Sequence, residues 1–465
     1  MNGNLYARLA SRFPADRGRP AFEMLDAGAI SYGELEAGAG RLAALLKAKG
    51  VTAGDRVAVQ APKSPEMIML YLATLKVGAA ILPLNTAYTK AEVDYFLNDA
   101  EPRLFVADAA ALAAEAASLP PLEAVHEAHP GDLAAIVYTS GTTGRSKGAM
   151  LSHQALGDNG QALADAWGFT SEDTLLHALP IYHVHGLFIA LHCVFLSGAK
   201  ALWLPKFEES DVLAAMSRST VMMGVPTFYT RLLADPRFTR EAAAGMRLFI
   251  SGSAPLLPST FEAFEQRTGQ RLLERYGMSE AAIITTNPLN GERIAGSVGY
   301  PLPGVSLRVA DDGIVQIRGP SVTTGYWRNP GKTAEAFTSD GYFITGDVGR
   351  QDPDGRLWLS GRVSDMIISG GLNVYPKEVE LVLDEMEGVI ESAVIGCPHP
   401  DFGEAVVAVV AGTGDEAAMI AAARGVLAAF KAPKRVFFVP DLPRNAMGKV
   451  LKAELRRTYA HTFQA

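Results

Sequence analysis

The sequence predicts an α/β protein: a large N-terminal domain of parallel or mixed sheets covered by helices, with a small β-rich subdomain, then a small α+β C-terminal domain. Three observations predict it. Strand-like and helix-like segments alternate early in the chain, the pattern of parallel sheets wrapped in helices. Between Gly304 and Gly361 the pattern becomes short strands and turns, as in "SLRVADDGIVQIRG" and "DPDGRLWLSG". The tail beyond carries its own helices and strands, with "GRVSDMIISGG" as the natural cut, giving domains 1–361 and 362–465.

The elements follow in order. "SYGELEAGAGRLAALLKAKG" opens with a capping box, Ser31 with Glu34, and ends at Gly50, so it is a helix. "RVAVQAP" is a short buried strand, "SPEMIMLYLATLKVGA" a helix and "AILPL" a strand. "TKAEVDYFLNDA" carries a second capping box, Thr89 with Glu92. "RLFVAD" and "LAAIVYTS" are strands, and the Ala-rich "DAAALAAEAASLPPLEA" is a surface helix and connection. A second unit spans about 170–300, with strands "TVMMGV" and "MRLFIS". In the tail, "EVELVLDEM" and "DEAAMIAAARGVLAAF" are helices, and "ESAVIGCP", "AVVAVVAG" and "RVFFVP" strands.

Composition narrows the function. The 465 residues exceed one core and call for at least two domains. A net charge of −8 argues against a nucleic-acid binder. The two cysteines, Cys193 and Cys397, have no CxxC spacing, so zinc modules and disulfide scaffolds are not expected. The N-terminus lacks the apolar core of a secretory signal, and no apolar run is long enough to span a bilayer. A cytoplasmic protein without membrane or nucleic-acid partners is expected.

The richest chemistry lies in "YTSGTTGRSKGAMLSH", just after a strand. Five hydroxyls, three glycines and a lysine fall within residues 139–148, a composition suited to wrapping an anionic oxygen cluster. It is not a P-loop, because only two residues separate Gly144 from Lys147. Further along stand "FISGSAPL", "ERYGMSE", "TGD", "GR" and "PRNAMGKV". Each alone reads equally as turn, core or solvated charge.

In order and wording these motifs resemble the adenylate-forming superfamily of acyl-CoA synthetases, adenylation domains and firefly luciferase, across essentially the whole chain. The resemblance implies ATP, Mg²⁺ and coenzyme A as co-reactants. Thr139, Ser140, Gly141, Thr142, Thr143, Gly144 and Lys147 would hold the β,γ-phosphates. Ser253, Ala254, Pro255, Glu274, Tyr276, Gly277 and Met278 would line the adenine side. Asp347 and Arg362 would hold the ribose, Ser279 would touch the α-phosphate, and Glu280 would hold Mg²⁺. Lys449 would reach between the acid and the α-phosphate. The C-terminal domain would be mobile, turning about "GRVSDM", where Ser364 replaces the usual Asp or Lys. Ser369, Gly370 and Gly371 would meet the pantetheine arm of CoA.

Within that superfamily the chain resembles malonyl-CoA synthetases, through "LPIYHVHGLF", "GVPTFYTRLL", "FISGSAPLL", "ERYGM" and "PRNAMGKV". The likeness implies that Arg231, on the helix that begins "PT", meets the distal carboxylate of malonate. Thr227 and Arg231 are four apart and share a face. A surface arginine paired with solvent or Asp235 is the alternative, as even from the residues alone; the likeness favours the pocket. His183 and Ser251 complete the acyl site, and His185 is packed; a lone His-x-His is weak evidence for zinc. Ala281, Ala282 and Ile283 replace polar residues, so methylmalonate is a second candidate substrate. The alternatives are a short- or medium-chain monocarboxylate synthetase and an enzyme loading a carrier protein. Monomer and homodimer are both open.

Overall fold

The computed structural model describes residues 2–25, 28–139, 146–445 and 447–463. It forms two compact units, Met1–Leu307 with Ile317–Phe343, and Arg308–Gln316 with Ile344–Ala465.

The first unit holds two sheets. In the smaller, strands Leu104–Val106, Arg56–Val59, Ala80–Pro83 and Leu133–Thr139 run parallel, and Lys147–Ser152 returns antiparallel. Both expected capping boxes are present, Ser31 with Glu34 on helix Tyr32–Ala48 and Thr89 with Glu92 on helix Lys90–Ala100. Such reciprocal bonds satisfy amides that a helix start leaves open. Gly50 ends the first of these helices at φ +79°, a left-handed turn suited to glycine.

In the larger sheet the strands Leu273–Met278, Leu248–Ser251, Val221–Gly224, Thr174–His177, Lys200–Trp203 and Pro20–Met24 are parallel neighbours in that order. Antiparallel strands Ala282–Thr286 and Ser297–Pro301 extend it at one end and Ala29–Ser31 at the other. Because these six strands point one way, His177, Gly224 and Ser251 all arrive at the same carboxyl edge. Register sets Gly224 beside Ser251 and Ser251 beside Glu274. Parallel sheets bind ligands at that edge. The face below is closed by Tyr229, Phe249 and Phe264, packed edge to face.

In the second unit, strands Phe343–Gln351 and Leu357–Arg362 pair antiparallel around the turn at Asp352–Gly355. A separate sheet is built on strand Gly403–Gly412, which pairs with Val389–His399, Ile367–Ser369 and Arg435–Val439. Helices Pro376–Leu383 and Glu416–Val426 cover it through Val379, Leu383, Met419 and Ala423. No helix among the described residues is long and apolar enough to cross a membrane.

Two buried histidines strut the first unit. His153 accepts from the Leu5 amide at 3.1 Å, and His192 meets the Tyr71 hydroxyl at 2.8 Å. Burial pushes their pKa values down to about 4 and about 3. Folding therefore holds both neutral where the unfolded chain would protonate them, so stability is full above about pH 6.5 and falls as pH drops toward 4. Thermal unfolding followed between pH 7 and 4.5 should take up about two protons from this pair, and His192→Gln should remove about one of them.

Candidate active site

Thr139 and Lys147 close the antiparallel pair that follows the first sheet's parallel strands. Ser140, Gly141, Thr142, Thr143 and Gly144 lie outside the described residues. The Lys147 ammonium stands 5.1 Å from the centre of the Tyr326 ring, and the Tyr326 hydroxyl donates to Glu280 Oε1 at 3.2 Å. Lys147 and Glu280 are thus brought together through Tyr326, a residue that sequence reasoning missed. Its segment is placed by two backbone ties: Tyr326 bridges Ala149, and the Thr323 amide donates to the Glu280 carbonyl at 2.6 Å. "GYW" after a turn was the available signal. Burial, then the Glu280 charge, raises the Tyr326 phenol, so it remains a donor.

Glu280 itself is 7% exposed. It sits in a tight turn between strands Leu273–Met278 and Ala282–Thr286. A Cβ on Gly277 would lie 2.0 Å from the Ala282 carbonyl oxygen, so only glycine fits there. That turn gathers Tyr276, Gly277, Met278, Ser279 and Glu280. Glu274, on the same strand, is buried and accepts from the Leu256 amide at 3.4 Å, which faces it toward the loop of Ser253, Ala254 and Pro255. Ser253 takes φ +72°, a strained conformation for a serine. Its hydroxyl meets His185 Nδ1 at 3.1 Å.

Beside this loop lies the feature the sequence reading did not single out. Arg275 is 4% exposed, and neither its Nε nor its Nη2 has a hydrogen-bond partner. Its guanidinium presses on Gly252, where an added Cβ would come within 2.4 Å of Nε. The Ser251 hydroxyl is also buried and unpartnered. Burial and then the Arg275 charge push His183 down to about 4. Burial, then Arg275, His183 and His177, hold His185 well below the usual range. Burial pushes Arg275 itself down to about 9. Among the described residues no carboxylate pairs with Arg275. An uncompensated buried charge costs several kcal/mol, roughly 3–5 when a partner is removed.

Arg231 differs from expectation. It is exposed on helix Pro226–Ala234, where Nε and Nη2 donate to Glu209 at 2.5 and 2.7 Å, and it stacks on Phe207 at 4.8 Å. The guanidinium is therefore neither buried nor lacking a partner. Asp235 pairs with Arg237 instead. Glu209 comes from another helix, Glu209–Met216, so helical spacing around Arg231 could not reveal it. Thr227 is half-buried on the same helix.

In the second unit Asp347 and Arg362 are cross-strand neighbours, with Arg362 Nε donating to Asp347 Oδ1 at 2.9 Å. Lys449 lies in the hairpin Arg444–Val450; its amide donates to Asn445 Oδ1 at 3.0 Å. Crowding by protein, then the Arg362 charge, lowers the Lys449 ammonium pKa, with Asp365 and Asp347 opposing. The structure thus groups Asp347, Arg362 and Lys449. Ser364 is exposed, while its neighbour Asp365 is held by Arg456 at 2.8 Å. Gly370 and Gly371, at φ +60° and +79°, make the two-residue turn between Ile367–Ser369 and Leu372–Val374, and Ser369 is buried beneath it.

Tyr326→Phe removes a hydrogen bond to a buried carboxylate. It should lower the first unit's stability by about 1.5–3 kcal/mol, read from its thermal transition.

Comparison with known proteins places this arrangement. Residues 9–327 match the model of the AMP-binding enzyme family, and residues 378–449 that of the AMP-binding enzyme C-terminal domain. A crystal structure of ATP-bound MatB from Rhodopseudomonas palustris superposes with a TM-score of 0.96, at 49% identity over 100% of both chains. A malonate–CoA ligase from Arabidopsis thaliana is 35% identical over 93% of this chain and 85% of its own. A sulfoacetate–CoA ligase from Cupriavidus necator is 35% identical over 92% of both. The chain belongs to the AMP-binding enzyme family.

Proposed function

We propose that this enzyme ligates malonate to coenzyme A through a malonyl-adenylate, releasing AMP and pyrophosphate. The single observation that carries it is the buried, unpartnered Arg275, in a chain of malonate–CoA ligase likeness. Malonate brings a second carboxylate that can complete two parallel hydrogen bonds with a guanidinium. A monocarboxylate would leave the cation unpaired, a penalty that a pocket built for hydrogen bonding turns into selectivity. Arg275 takes the role expected of Arg231, with Ser251 and His183 beside it.

In the first step a malonate oxygen attacks the α-phosphorus of ATP, and the bond to pyrophosphate breaks. Lys147 and the loop from Thr139 hold the leaving phosphates; Ser279 and Lys449 meet the charge at the α-phosphate. Ser253 to Pro255, with Glu274 and Tyr276 to Met278, line the adenine, and Asp347 with Arg362 holds the ribose. Glu280 fits a magnesium site: a buried carboxylate, steadied by Tyr326, that would hold the ion together with phosphate oxygens and water. When bound, the ion neutralises phosphate charge. In the second step the CoA thiol attacks the acyl carbonyl, the carbon–oxygen bond to AMP breaks, and the thiol proton passes to solvent. The turn Ser369–Gly371 receives the pantetheine. Residues 362–465 move between the steps; Gly361, at φ +144° with open space around its α-carbon, supports a hinge there. We place the enzyme in the cytoplasm as monomer or homodimer, with both cysteines free.

ATP–pyrophosphate exchange tests the acid. Malonate should be the best substrate, with methylmalonate accepted against the apolar Ala281–Ile283 wall; exchange with butyrate and none with malonate overturns the reading. Sulfoacetate, also a dianion, is the informative competitor. Transfer to free CoA separates ligation from carrier-protein loading.

Lys449→Ala should lower adenylation about 10²–10³-fold yet spare thioester formation from supplied malonyl-adenylate. Arg275→Met should raise the malonate KM about 10²-fold, because the anion loses its buried partner. Arg231→Ala should change it no more than about threefold, as expected for an exposed ion pair. Parallel measurement of malonate and ATP KM in both variants checks the assignment.

A further inference from the structure

A second buried cation stands behind the acyl cluster. Lys63 follows the strand Arg56–Val59 of the small sheet, and its ammonium enters the carboxyl edge of the larger one. Nζ contacts the His177 carbonyl at 2.8 Å, the Leu204 carbonyl at 2.6 Å and His177 Nδ1 at 2.8 Å. It also lies 4.4 Å from the centre of the Trp203 ring, against which His177 stacks. On its far side His177 Nε2 meets the Gly186 carbonyl at 3.0 Å.

Hydrogen-bond geometry assigns a charge to this pair, against burial that lowers the pKa of both groups. A carbonyl only accepts, so Nε2 must carry a proton, and Nζ must spend two on the carbonyls of His177 and Leu204. One proton remains between Nζ and Nδ1. On either atom the pair carries one positive charge. Among the described residues no carboxylate pairs with it.

The placement opposes a simple stabilising role. Lys63 immediately precedes Ser64, the N-cap of helix Pro65–Lys76, where the helix dipole disfavours a cation. An apolar residue filling the same space would cost less desolvation. What the charge does hold is the first turn of a π-helix, His185–Ala190. Gly186 in that turn lies so close to Pro180 that a Cβ would be 2.1 Å from its carbonyl oxygen. π-turns are rare and are frequently found at functional sites. The contacts run on without a gap: Gly186 is bonded to His185, His185 meets Ser253, and Ser253 adjoins Gly252, on which Arg275 rests.

We infer that Lys63 is a positioning residue for the acid substrate, acting through His177 to fix the π-turn that sets His185, Ser253 and Arg275, and supplying a second buried positive charge on the acyl side. The inference rests on the reading of that cluster as the acid site. It also specifies the substrate class further: two uncompensated cations suit a dianion.

The test compares Lys63→Met and Lys63→Arg with wild type in exchange kinetics, and records ¹⁵N shifts of His177 in the wild-type protein. Lys63→Met should raise the KM for the acid about tenfold or more and leave the ATP KM within about twofold, and Lys63→Arg should recover most of the loss. The wild-type imidazole should carry a proton on Nε2. Equal shifts in both KM values, an unchanged acid KM, or Lys63→Arg no better than Lys63→Met would overturn the inference. So would a neutral Nδ1–H tautomer of His177, which needs no variant to fold. A wild-type enzyme inactive with malonate but active with another acid would refute the malonate reading alone, since the same comparison then runs with that acid.

Discussion

The first unit is organised around positive charge that the protein leaves unpaired. Arg275 offers two nitrogens to no protein acceptor, and Lys63 with His177 holds a proton without a carboxylate. Removing such charges from water costs several kcal/mol each. The fold meets that cost with rigid surroundings: a glycine against the guanidinium, two carbonyls and an indole face around the ammonium. Burial first, and then the Arg275 charge, lowers the pKa of the neighbouring His183 and His185. The cluster is therefore rigidly held, with two Arg275 nitrogens that no protein acceptor meets.

This arrangement follows from topology. Six parallel strands end at one edge, so residues scattered from His177 to Arg275 become neighbours there. The Lys63 contact ties the smaller sheet to that edge. The register of three strands puts Gly224, Ser251 and Glu274 in a row, and the next step along the last strand is Arg275. Of the four non-glycine residues that take positive φ among the described residues, two, Ser253 at φ +72° and Ala282 at φ +49°, lie on either side of the strand that carries Arg275. Both deviations place side chains that matter, the Ser253 hydroxyl against His185 and the Glu280 turn against Tyr326.

Local signals made much of the fold readable from sequence. Capping boxes at Ser31 and Thr89 and the left-handed glycine after the first helix act within four residues, and all three stand as expected. Motif residues that share a short segment, such as Tyr276 to Glu280, are likewise found together. What escaped is non-local. The residues alone leave Arg231 even between a pocket and a surface pair with Asp235, and the likeness to malonyl-CoA synthetases favours the pocket; in the structure it meets Glu209, twenty-two residues earlier. Arg275 lay inside a quoted motif yet drew no attention, since burial without a partner is invisible until the surrounding strands are placed. Tyr326 and Lys63 were missed for the same reason: their partners lie forty-six and more than one hundred residues away.

The contrast between the two arginines carries a more general point about substrate selectivity. Arg231 and Arg275 have the same charge and the same five donors, but the first has already formed its bidentate pair at the surface. An anion reaching it would have to displace Glu209 and gain little, because exposed pairs are worth about 0–1 kcal/mol. Arg275 has no such pair to lose: its buried Nε and Nη2 meet no protein acceptor. On the proposed reading, an acid that brings a second negative group completes those bonds, whereas one that brings a methyl leaves them open. On that reading the discrimination resides in what the folded protein has withheld from the guanidinium, and it is set before any substrate arrives.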